Sequence, residues 1–173
     1  MNIFCTDSDP VLSAQYLCDK HCVKMYLESC QLLCSVFHLQ NIPAPYKLTH
    51  RNHPCAIWAR QSQANFDWLL THTHAISQEY ARRYKKYHKC NAILTWVDFN
   101  KHLLFFRNTE LQPFVAAIAD DKKCVELPEF DDASVIDKYR LYYIFDKPFA
   151  VWNHGPTPDW YTSLRAKYNL TSP

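Results

Sequence analysis

The sequence predicts an all-α protein: a single compact domain of residues 1–173 with several long helices and an extended aromatic C-terminal tail. Three observations predict it. Only one glycine, Gly155, occurs in 173 residues, so long stretches run without a breaker. Apolar side chains make up 48% and aromatics 15%, enough for a substantial core and well above the content of a disordered chain. Apolar positions also recur with helical period: Tyr26, Cys30, Leu33, Cys34 and Phe37 fall on one stripe.

Met1-Asn2-Ile3-Phe4-Cys5 is a short apolar opening, and Thr6-Asp7-Ser8 reads as a turn. Asp9-Pro10 is a helix start, with Asp as cap and Pro at the first helical position. Helical spacing then runs to about Gln40, with a break near Asp19. Asn41-Ile42-Pro43-Ala44-Pro45 is a loop, because its prolines stop helix growth. A second helix is expected from Pro54 to about His88, with Trp58, Asn65, Leu69, His72, Ile76 and Tyr80 along one side. A third is expected from Asn91 to Arg107. Leu111 to Phe130 is a weaker stretch, and another helix spans Asp132 to Phe145. The segment from Trp152 to Tyr161, with two prolines and Gly155 as a turn residue, reads as extended. No stretch is long and polar enough to be a linker between domains.

The lone glycine excludes several chemistries. A phosphate-cradling loop, a dinucleotide fingerprint, a nucleophile elbow and an EF-hand all require glycines at set positions. Reactive parts must therefore be side chains, helix ends or the chain terminus. A net charge of +2, from 19 basic and 17 acidic residues, makes any basic surface a local one. No charged-then-apolar leader opens the sequence, and no apolar run approaches the ~18 residues of a membrane span. The expectation is an intracellular protein with no membrane partner, in the cytoplasm of a host if viral. Its eight cysteines are then free thiols.

Four constellations carry chemical options. On a helix, His21, Lys24, Glu28 and Gln31 fall within about 80° of one another, flanked by Met25 and Leu32. Polar groups among apolar neighbours are either an ion-paired docking face or a site with perturbed ionisation. Arg51-Asn52-His53-Pro54, with Arg60 one turn or two further on, places polar residues at a helix N-terminus. That arrangement suits a phosphate or carboxylate, or ordinary capping by Asn52. Cys18, His21 and Cys22 have the i, i+3, i+4 spacing of a three-ligand metal site, with Cys5 or Cys55 as a fourth. Without a Cys-x-x-Cys knuckle, buried thiols are the favoured reading and no metal is assigned. Trp152, Trp160 and Tyr161 with Arg165 and Lys167 either stack on nucleic-acid bases or pin the tail to the core.

Several of these residues resemble a known family in their order. Asp19-x-His21-x4-Tyr26-x-Glu28 is similar to the first long helix of the phage endonuclease V type, the pyrimidine-dimer DNA glycosylase and abasic-site lyase family. Met1-Asn2-Ile3-Phe4 resembles the start of bacterial relatives, Tyr46 through Arg60 their Asn-His-Pro segment, and Pro158-x-Trp160-Tyr161 the aromatic tail of the phage enzyme. The chain as a whole also looks like phage proteins of unassigned activity. The resemblance implies one all-α domain, double-stranded DNA with a damaged or modified base as partner, and no cofactor. It implies an N-terminal amine that attacks the sugar C1′ and forms an imine, with a glutamate that corresponds to Glu28. His21, Lys24, Arg51, Asn52, His53, Arg60, Trp160 and Tyr161 would bind substrate. An α-amine ionises closer to neutrality than a lysine side chain does, so it needs no special desolvation to react.

The chain departs from the pattern at two places. The phage enzyme loses its initiator Met before a small second residue, whereas Asn2 is bulky and predicts that Met1 stays and supplies the amine. Leu27 stands where the family has an arginine before the glutamate. The competing reading is a non-catalytic module on the same scaffold that binds nucleic acid, nucleotide or protein, as a phage-encoded inhibitor would. A third is a zinc-stabilised interaction protein. The separation of the Met1 amine from Glu28 discriminates between the first two, because one sugar must reach both.

Overall fold

In the computed structural model, which describes residues 1–170, α2 (Asp19–Leu39) runs through the middle and organises the rest. Among the described residues there are only α-helices, short 3₁₀ turns and irregular segments, so the expected all-α class is the observed one. The stripe of Tyr26, Cys30, Leu33, Cys34 and Phe37 is fully buried, with Phe37 wedged edge-on between Phe66 and Trp96. Helices α3 (Pro54–Gln61), α4 (Gln63–Tyr84) and α5 (Asn91–Asn100) pack against α2, and α1 (Pro10–Gln15) lies along α4. Helices α6 (Val135–Asp146) and α7 (Asp159–Lys167) pair with each other. A single buried cluster joins residues of all seven elements.

Helix ends follow local chemistry. The Asp9 carboxylate accepts from the Val11 and Leu12 amides and starts α1 before Pro10. The expected break near Asp19 is real and has a named cause. Arg83, buried on α4, donates to the carbonyls of Gln15 and Leu17, so its planar fork satisfies the end of α1. The same guanidinium reaches Asp19 at 3.3 Å and Glu79 at 3.0 Å. Asp19 also accepts from the Asn153 amide at 2.7 Å and contacts His154 at 3.1 Å. This network sets the angle at which α2 enters the core. Removing one member of a buried charge network leaves the others unpaired, so Arg83→Met is expected to cost about 3 kcal/mol or more in denaturant unfolding.

Four expected boundaries are corrected. The helix expected from Pro54 to His88 is two helices, because Ser62 turns extended (φ −152°) and caps α4 through the Asn65 amide. It ends at Tyr84, where Lys85 adopts a left-handed conformation. The helix expected to Arg107 stops at Asn100 and passes into a 3₁₀ turn, Lys101–Leu103. Leu111 to Phe130 is irregular except for a 3₁₀ turn at Lys123–Glu126, and is pinned at Gln112 by Asn65 and Trp58. The tail is extended only to Pro158, after which α7 forms. Gly155 sits in the turn before it, where an added Cβ would meet the Arg82 guanidinium at 2.9 Å.

Candidate active site

The fold brings the first residue of the chain onto the polar face of α2. The Met1 amine lies 3.7 Å from Glu28 Oε2, and the Asn2 amide donates to the same oxygen at 2.9 Å. Lys24, one turn back on α2, approaches Oε1 at 3.5 Å. The Met1 side chain is only 2% exposed, so what this residue presents to its surroundings is its amine. Glu28 is itself buried. A carboxylate removed from bulk water and facing an amine and an amide is held in one orientation, which suits it for acting on whatever the amine binds.

A cleft of about 370 Å³ opens beside this pair, and its lining mixes charge with aromatic faces. Its lining includes Met1, His21, Lys24 and Glu28 together with Phe4, Lys20, Tyr142, Lys147 and Phe149. Lys147 Nζ sits 3.7 Å over the Tyr142 ring and Lys20 Nζ 4.5 Å over Phe149. A cation held by a ring face is free to turn toward an anion that enters the cleft. Phe4 carries a left-handed φ of 55°, an uncommon conformation for a bulky residue, and its ring lies tilted by 33° against His21 at 4.3 Å.

His21 is buried, with Nδ1 2.6 Å from the Tyr143 hydroxyl. Burial, and then the charges of Lys147, Lys24 and Lys20, push its pKa down to about 3. The imidazole is therefore neutral at physiological pH and acts as a hydrogen-bonding group rather than a cation. Burial likewise holds His72 down at about 4. In the unfolded chain both protonate near their ordinary value of about 6.5. Between pH 6.5 and 4 the unfolded state thus takes up protons that the folded state refuses. The stability present above pH 6.5 is lost as pH falls through that window, by up to about 1.4 kcal/mol per pH unit for each group. Melting temperatures measured down this range should fall steeply, and His72→Asn should flatten the slope.

The second sequence segment lies near the first. His53, not Asn52, caps α3, with Nδ1 accepting from the Cys55 amide at 3.2 Å. Where the sequence offered Asn52 as the cap, beside an anion site, the capping group is His53. Burial and the nearby Met1 amine lower the His53 pKa, which keeps the ring nitrogen available as an acceptor. Arg51 and Asn52 are exposed on the turn before it. Arg60 is half-buried and donates to the Arg51 carbonyl at 2.7 Å, so it braces that turn. None of these three lines the cleft itself.

Trp160 and Tyr161 are used in packing. Trp160 lies edge-on to Tyr16 and Tyr143 under Arg140, and Tyr161 is buried against Trp152 at 4.6 Å. Of the two alternatives for the tail, pinning is the one the structure contains. Cys18, His21 and Cys22 do not converge, and among the described residues no group of three His, Cys, Asp or Glu side chains is placed to hold a metal. The eight thiols are free and buried.

Lys20, Ala117, Ala119, Tyr142, Lys147 and Phe149 line the cleft without any local mark in the sequence. Lys20 is legible in retrospect, since it sits one turn before Lys24 on the same helix face. The five from the C-terminal part reach the cleft only through long-range packing.

The fold is all-helical and sets a terminal amine beside a buried carboxylate at one basic, aromatic cleft. The sequence model of the pyrimidine dimer DNA glycosylase family matches residues 1–92, just over half of the chain. The chain belongs to this family. No curated protein and no solved structure matches it. No helix among the described residues is long and apolar enough to cross a membrane.

Proposed function

We propose that the protein is a DNA glycosylase and abasic-site lyase that acts on damaged or modified bases in double-stranded DNA through an imine on the Met1 amine. The observation that carries this reading is the 3.7 Å separation of that amine from Glu28 Oε2 at the edge of a cleft. The amine lone pair attacks the sugar C1′, and the base leaves with the bonding electrons and takes up a proton. The nitrogen then expels the ring oxygen O4′, which gives a protonated imine. A base removes the C2′ proton, the electrons move toward the iminium nitrogen, and the 3′ phosphate leaves. Water finally hydrolyses the imine and frees the amine.

Glu28 is suited to two of these steps. Its negative charge stabilises the cationic sugar as the base departs, and its oxygen accepts the C2′ proton during elimination. Lys20, Lys24 and Lys147 at the cleft offer positive charge to the phosphates that flank the reacting nucleotide. Neutral His21 offers a hydrogen bond to the sugar or base. His53, with Arg51, Asn52 and Arg60 behind it, would meet the phosphate backbone to one side. A damaged or mispaired nucleotide is easier to extrude into such a cleft than a stacked one, which contributes selectivity.

A non-catalytic binding module has no need of an amine held against a buried acid. Incubation with duplexes that carry an abasic site, a pyrimidine dimer or a modified base tests the reading. Strand cleavage at the abasic site, with base release from at least one of the others, is expected. Binding of these duplexes with no cleavage of any would favour the non-catalytic module instead.

A further inference from the structure

The side chain of Asn2 makes more directed contacts than any neighbour of the reactive pair, yet the steps above do not use it. It is buried, and its Oδ1 accepts from the Ile3 amide at 2.8 Å, the Phe4 amide at 3.3 Å and the Tyr139 hydroxyl at 2.7 Å. Its Nδ2 donates to the Ala117 carbonyl at 2.8 Å. The Ala117 amide in turn donates to the Tyr139 hydroxyl at 3.0 Å, which closes a ring of three residues. Tyr139 is fully buried on α6, and both it and Ala117 lie outside residues 1–92.

This ring fixes the peptide plane of residue 2. That plane carries the Met1 Cα on one side and points its own N–H at Glu28 Oε2 from 2.9 Å. The positions of the amine and of the carboxylate therefore depend on one amide. When the amine nitrogen is taken up in bonding to the sugar, the Asn2 N–H still holds the carboxylate beside C2′. A displacement of even 1 Å in such a pair slows the reaction strongly, because reacting groups must lie close to van der Waals contact.

We propose that Asn2 and Tyr139 are positioning residues, which hold the Met1 amine and Glu28 in reactive register from the C-terminal part of the chain. The inference rests on the imine reading and adds to it the parts that make the geometry productive. It assigns to α6 and the Ala117 segment a role in the rate of the chemical step, apart from any role in gripping DNA.

The test compares the rate of borohydride-trapped adduct formation on an abasic duplex with affinity for the same duplex carrying a tetrahydrofuran analogue, which cannot form an imine. Tyr139→Phe deletes one hydroxyl from a buried ring and is expected to slow trapping about tenfold with analogue affinity unchanged. Asn2→Leu should slow it further. Leucine is bulky enough at position 2 to keep Met1 in place, whereas alanine or serine would invite its removal and confuse the result. Tyr139→Phe should add little in the Asn2→Leu background, since the two act through one contact. If Asn2→Leu does not fold, Tyr139→Phe alone decides. Trapping at the wild-type rate, or a matching loss of rate and analogue affinity, would overturn the positioning role while leaving the imine reading intact. No adduct from the wild-type protein would overturn the imine reading itself.

Discussion

Glu28→Gln is expected to lower strand cleavage at an abasic site by about 10²–10³-fold, the usual worth of one positioned acid–base or charge-stabilising group. The substitution is nearly isosteric and keeps an oxygen for the Asn2 amide, which donates to Oε2 at 2.9 Å. It removes the negative charge 3.7 Å from the Met1 amine and the ability to accept a proton. Single-turnover cleavage at saturating protein checks the loss. Far-UV circular dichroism should stay close to wild type while the melting temperature falls, because Lys24 loses only a surface partner but the Met1 amine loses a buried one. A variant that retained activity within a few fold would show that another group moves the C2′ proton.

Blocking the Met1 amine should have a larger effect still. Acetylation converts the nitrogen to an amide, which cannot form an imine, so both cleavage and base release should fall to the background of the uncatalysed reaction. A two-residue N-terminal extension should do the same by a second route. The Met1 side chain is 2% exposed and seated in the core, so added residues must occupy the cleft or pull the methionine from its site. Intact mass of the protein should show Met1 present in the active form. Affinity for an abasic-analogue duplex should survive acetylation within a few fold, because Lys20, Lys24 and Lys147 are untouched.

The two groups of the proposed pair, which the fold sets 3.7 Å apart, each sit in a short sequence segment with a local signal. His21, Lys24 and Glu28 share one face of α2, and the amine belongs to the Met1-Asn2-Ile3-Phe4 segment. The helix class was legible for the same kind of reason: the Tyr26 to Phe37 stripe is periodic, and it is fully buried. Asp9-Pro10 showed the start of α1, and the role of Arg83 in ending that helix did not show at all. It satisfies carbonyls more than 60 residues away, a contact that no local window contains. Ser62 was a cap signal hidden inside a strongly apolar helical pattern, where periodicity outweighed one polar residue.

The other half of the cleft is of the nonlocal kind. Tyr142, Lys147 and Phe149 acquire meaning only when α6 packs beside the N-terminal segment. Trp160 and Tyr161 show a choice that local sequence leaves open. Aromatic residues beside basic ones suit either base stacking or tail packing in sequence, and here Tyr161 is buried while Trp160 packs partly buried against Tyr143. His53 shows a smaller version. A His-Pro helix start allows either Asn52 or His53 as cap, and the imidazole takes the role because its nitrogen reaches the Cys55 amide.

The cleft holds three lysines as well as the Met1 amine, so the identity of the nucleophile is the central question. The most direct measurement is borohydride reduction in the presence of an abasic duplex, followed by proteolysis and mass mapping of the cross-linked peptide. The adduct is expected on the α-amine of Met1, and only there, with none formed by acetylated protein. An adduct on Lys20, Lys24 or Lys147, or no adduct with active-site geometry intact, would contradict the assignment of the terminal amine as the nucleophile.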